Sequence, residues 1–123
     1  MLLEAAVVLC LTNATDTAVS GMVRDGRSKL TSAKLEGTSL NYREPLAETP
    51  FPAVDVGQTG CADVDGMTLA KPQLVIRGGQ SVGGGLHHGE TICRPTHPLK
   101  AGERLTFVYR KSFFGPLTCK ETR

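Results

Sequence analysis

Apolar residues fall in short runs along this chain, and few of the runs carry a helical period. Val7–Thr12 is an unbroken aliphatic and β-branched stretch, the pattern of a strand buried on both faces, and it follows a short helical start. Arg104–Arg110 alternates strictly. Leu105, Phe107 and Tyr109 share one face while Thr106 and Val108 take the other, with Lys100–Glu103 as the turn that feeds the strand. Between these two lie shorter strand candidates: Val19–Arg24, Leu40–Tyr42, Val54–Val56, Met67–Leu69 and Leu74–Arg77. Phe113–Pro116 ends the last region, and Leu117–Lys120 closes the sheet.

The punctuation between runs is Gly and Pro. Asp25-Gly26 separates Val19–Arg24 from Arg27–Thr31 and is expected to form a hairpin turn, because a type I′ turn requires positive φ at both central residues. Ser28–Gly37 has a competing reading as one short helix, with Leu30, Ala33 and Lys34 on one side. Pro45, Pro50 and Pro52 lie within residues 44–53, which are expected to be an extended surface loop because proline removes a backbone donor. Residues 78–89 hold six glycines and are expected to be a second, mobile arm. Strands at roughly ten-residue spacing with such turns predict an all-β single domain over 1–123, a β-sandwich, jelly-roll-like fold or small barrel.

Composition narrows the function. The 123 residues suit one domain, and no run approaches the ~20 apolar residues of a membrane helix. Aromatics are 5% of the chain and Trp is absent, which argues against a stacking platform for single-stranded nucleic acid. Met1–Leu11 is apolar, but it has no basic leader and Glu4 interrupts it, so no signal peptide is recognisable and a virion or cytoplasmic location is expected. Four cysteines allow three disulfide pairings. An even count in a small Gly-rich chain favours bridges, the lack of an export signal favours reduced thiols more, and the wide spacing offers no C-x-x-C pair for zinc.

Charge changes the picture most. The net +2 of the chain conceals a split: residues 1–70 hold five Lys/Arg against nine Asp/Glu, while residues 71–123 hold nine against three. Opposite fields attract within a Debye length of ~8–10 Å, so the halves either pack on each other or join separate copies. Arg104, Arg110, Lys111 and Lys120 are the expected contact residues. Arg104 and Arg110 share a strand face, as a contact strip or as the charged guard of an edge strand.

Candidate chemistry is sparse. His87, His88, Glu90 and His97 are the one cluster of metal-ligand types, yet adjacent side chains on a strand point apart and the spacing is not that of H-E-x-x-H. Gly78–Gly85 lacks the Lys-Ser/Thr that a phosphate loop requires. Asp63-Val64-Asp65-Gly66 opens like a calcium loop but lacks the later acidic ligands. Asn13-Ala14-Thr15 fits the glycosylation sequon, which has no use without export. No Gly-x-Ser-x-Gly elbow is present.

The expectation is therefore a non-enzymatic structural or assembly protein without cofactor, such as a capsid-decorating, neck or tail component of a virion. It would self-associate or join other structural subunits, with neither nucleic acid nor membrane as partner. A ligand- or carbohydrate-binding sandwich using Phe51, Phe113, Phe114, Tyr42 or Tyr109 is the alternative, and a metal-dependent enzyme on the histidine cluster the third reading.

Overall fold

A computed structural model describes residues 7–45, 47–64, 72–78, 90–111 and 117–122. The expected strand Met67–Leu69, the turn at Asp65-Gly66, the segment Phe113–Pro116 and all of the glycine arm beyond Gly78 lie outside them.

The described residues form ten strands. One sheet contains β10 (Leu117–Thr122), β9 (Arg104–Lys111), β1 (Val8–Ala14) and β6 (Thr59–Asp63), in that order. The other contains β5 (Glu48–Val54), β2 (Val19–Asp25), β7 (Pro72–Gly78) and β8 (Glu90–Cys93). Strands β1 and β9 run parallel, and every other pairing is antiparallel. The two sheets pack face to face, and no ladder joins them among the described residues, so the fold is a β-sandwich and not a barrel.

The core follows from alternation. Leu105, Phe107 and Tyr109 of β9 point inward, as their period predicts, and meet Leu9 and Leu11 of β1 in the same sheet. Val23, Leu74 and Ile76 face them from the second sheet. The Tyr109 hydroxyl crosses the core and donates to the Gly78 carbonyl at 3.1 Å. Gly60 has a specific reason to be glycine: a Cβ there would stand 2.7 Å from Val54 Cγ2, where β5 and β6 close over each other.

Two disulfides are formed, against the reduced state expected. Cys10 and Cys61 sit directly opposite on β1 and β6, and Cys93 on β8 reaches Cys119 on β10. The pairing depends on strand register, which the linear chain does not contain.

Three local expectations are corrected. Asp25-Gly26 is not a hairpin, since β2 pairs with β5 and β7. Instead the Asp25 carboxylate accepts from the Arg27 backbone N–H at 2.8 Å and from its guanidinium at 3.0 Å, turning the chain out of the sheet. The helix reading of Ser28–Gly37 fails as well. Those residues begin β3 (Ser28–Leu35), which pairs with β4 (Thr38–Pro45) through a tight turn at Glu36 (φ 47°) and Gly37 (φ 82°). Nor are residues 44–53 a loop. Residues 44–45 end β4 and 48–53 supply most of β5, whose Pro50 and Pro52 are tolerated because β5 is an edge strand.

Candidate interaction surfaces

The register decides which expected contact residues meet. On β9, Arg104 and Arg110 lie on the outer face with Thr106 and Val108. β10 brings Lys120 opposite Val108 on that same face. Lys111 has the opposite parity, with the core residues of its strand, so the structure gathers three of the four basic residues and separates the fourth. The strip does not guard an edge, because β9 lies between β10 and β1. Arg104 also reaches the Cys10–Cys61 disulfide, with a guanidinium nitrogen 3.4 Å from Cys61 Sγ.

The split of charge along the sequence becomes a split across the molecule. In each sheet the strands from the first half of the chain (β6 and β1; β5 and β2) lie on one side and those from the second half on the other. β5 stands over β6 at one flank, and β8 is bonded to β10 at the other. Leaving aside β3 and β4, the described part of the first flank carries Asp16, Asp25, Glu48, Asp55 and Asp63 against Arg24 and Arg27, a net of −3. The described part of the second carries seven Lys/Arg against Glu90, Glu103 and Glu121, a net of +4. Asp16, Glu48, Asp55 and Asp63 are exposed and form no ion pair with another described residue. Both alternatives for the split therefore remain served by one arrangement: the halves pack side by side, yet each leaves a charged flank in solvent.

The histidine cluster is only partly within the described residues. His87 and His88 lie outside them. Glu90 pairs with the Arg77 guanidinium across β7 and β8. His97 belongs to another place, its Nε2 2.7 Å from Glu103 and its Nδ1 4.0 Å from Glu121. Glu121 also accepts from the Thr96 backbone N–H and hydroxyl, so this set ties the β8–β9 connection to β10. The hydrogen bond from His97, with the Lys100 N–H second, holds the Glu103 carboxyl below the usual carboxylate range. No set of three or more ligand-type side chains fit to hold a metal occurs among the described residues.

The aromatics proposed for a carbohydrate site are mostly structural. Phe51 and Tyr109 are buried in the core, Phe113 and Phe114 lie outside the described residues, and Tyr42 is exposed. Asn13 of the sequon is fully buried. Its Nδ2 donates to the carbonyls of Val54 (3.0 Å) and Thr17 (2.8 Å), and its Oδ1 accepts from the Thr15 N–H and hydroxyl. In the fold this asparagine is an anchor closed to modification.

Sequence reasoning missed the feature that stands out most. Strands β3 and β4 form a two-stranded ribbon that leaves the sandwich between Asp25 and Glu48, and they make their close contacts with each other. Leu30 is 67% exposed, Leu40 49% and Tyr42 44%, an apolar load that a solvated loop would not carry. The signal lay in Leu30, Leu40 and Tyr42 themselves, which have no alternating partner run within reach of the core.

Comparison with family models, with curated proteins and with solved structures gave no match. The class that the structure defines is a small, disulfide-linked β-sandwich with a projecting β-ribbon. No helix among the described residues is long and apolar enough to cross a membrane.

Proposed function

We propose that this is a non-enzymatic structural protein that assembles from copies of itself, the acidic flank of one sandwich meeting the basic flank of the next. The carrying observation is the opposition of a −3 flank and a +4 flank on one sandwich. Such a contact is heterologous: it uses two different surfaces, so it propagates into a ring or a filament. Arg110 and Lys120 are the basic side of that contact, and Asp63 and Glu48 on the edge strands β6 and β5 belong to the acidic side; Arg104 turns its guanidinium to Cys61 of β6 instead.

A particle surface suits this reading. Closed disulfides favour an oxidising setting such as a virion or cell exterior over the reducing cytosol. A capsid-decorating or tail component is a protein of this kind. The test is charge reversal: Arg110→Glu and Lys120→Glu together should reduce the assembled mass in low salt while the far-ultraviolet spectrum stays that of the parent. An unchanged mass would reject the strip as the contact.

A further inference from the structure

We infer that the β3–β4 ribbon is a second, two-fold contact, in which β4 pairs antiparallel with β4 of another copy about an axis at Asn41. This rests on the reading of the protein as self-assembling, but it uses a different surface and a different force.

A lone hairpin is marginal in water, whereas three or four strands with an apolar face hold together. This ribbon is such a hairpin, since its described residues pack on each other and expose Leu30, Leu40 and Tyr42. Among the described residues each strand has one edge whose backbone groups pair with no other strand, which is a template for another strand. The two edges differ. β3 carries Lys29 and Lys34, the kind of charge that protects an edge, while β4 carries Arg43 and Glu44 as an adjacent opposite pair at one end and no charge over Thr38–Tyr42.

The backbone selects the register. A two-residue turn closes on a hydrogen-bonded pair, here Leu35 and Thr38, and bonding then alternates along the ladder. Thr38, Leu40, Tyr42 and Glu44 therefore turn their N–H and C=O groups towards β3. Ser39, Asn41 and Arg43 turn theirs outward. An antiparallel partner centred on Asn41 sets Asn41 against Asn41 and Ser39 against Arg43, so every outward group finds its counterpart. Centring on Tyr42 would instead oppose Ser39 to Pro45, which has no donor.

The side chains agree with that choice. In the Asn41-centred register Leu40 of each copy stands opposite Tyr42 of the other, at the closer, non-hydrogen-bonded type of site where aromatic–aliphatic pairs contribute most. Within each ribbon Ala33 faces Leu40 and Thr31 faces Tyr42. One row thus reads Ala33, Leu40, then Tyr42 and Thr31 of the second copy, across a four-stranded sheet. No like charges are opposed.

The experiment is mass by light scattering in ~1 M salt, where the Debye length of about 3 Å removes the flank contact. The chain should remain a dimer. Asn41→Pro, which removes an outward donor without touching the β3–β4 ladder, should halve the mass, while Asn41→Ala leaves it unchanged. Sandwich unfolding monitored in parallel shows that the core is intact. As a second readout, mild oxidation should cross-link Asn41→Cys chains, whose Cα atoms would lie about 5.5 Å apart, far faster than Ser39→Cys chains. A monomeric parent in high salt, a dimer that survives Asn41→Pro, or equal cross-linking at both positions would overturn the proposal. Loss of this dimer with salt-sensitive assembly retained would leave the flank reading standing; the converse would remove the flank reading alone.

Discussion

Cys93 and Cys119 are bonded across the core, joining an edge strand of one sheet to an edge strand of the other, with 26 residues of sequence separation. At the opposite flank β5 and β6 are held by the short turn between them, so the disulfide clasps the side that the chain leaves open. Chain-entropy arguments place a loop of this length at about 3.5 kcal/mol. Cys93→Ser with Cys119→Ser should lower the unfolding free energy by that order in urea titrations. A loss below about 1 kcal/mol would show that β8 and β10 are held mainly by packing.

Asn13 makes the second prediction. Asn13→Ala takes the side-chain partner from the Val54 carbonyl and from the Thr15 N–H in a buried corner, while the Thr15 hydroxyl keeps its bond to the Thr17 carbonyl. Each orphaned group costs about 1–3 kcal/mol, so a total of about 3 kcal/mol is expected, comparable to the ~3–5 kcal/mol of Phe107→Ala in the core. Equilibrium unfolding of both variants compares them directly, and a near-neutral Asn13→Ala would mean that water replaces those bonds.

The third concerns pH, and its sign follows from linkage. Glu103 has its carboxyl lowered by His97, so it contributes stability above the ordinary carboxylate pKa, which is lost as pH falls through the depressed value. Melting temperature should therefore drop on the acid side, and the drop should be shallower in Glu103→Gln. At the other extreme, burial raises the Tyr109 phenol above its ordinary 10.0, and that contribution is lost as pH rises through the raised value. Ultraviolet titration of Tyr42→Phe protein, which removes the other tyrosine, should show less than half of the phenol ionised at pH 10 while the fold persists.

The fourth separates neighbours on one strand. Arg110 lies on the outer face of β9, and Lys111 lies on the other parity. Arg110→Glu should weaken low-salt assembly clearly more than Lys111→Glu, measured as the concentration for half-association. Equal effects would mean that net charge, and not the face, governs association.

What could be read from the chain depended on whether a residue's role was local. Leu105, Phe107 and Tyr109 announced β9 because alternation is a property of neighbours, and Val7–Thr12 announced β1 for the same reason. The basic strip was legible through the even spacing of Arg104 and Arg110, but the placing of Lys120 beside them required the β9–β10 register. Asp25-Gly26 misled because turn chemistry does not state which strands pair; Asp25 spends its carboxylate on Arg27, and the true hairpin turn uses Glu36 with positive φ, a residue type that gives no warning. Pro50 and Pro52 suggested a loop because edge position, which makes proline harmless, is a tertiary fact. Disulfide pairing was hidden for the same reason.

The most direct test of assembly through opposed flanks is absolute mass by light scattering across a salt series. The flank contact predicts masses several times 13.1 kDa at low salt that fall steadily as salt rises, towards the ribbon-paired dimer. A mass that stays the same at every salt concentration would contradict it.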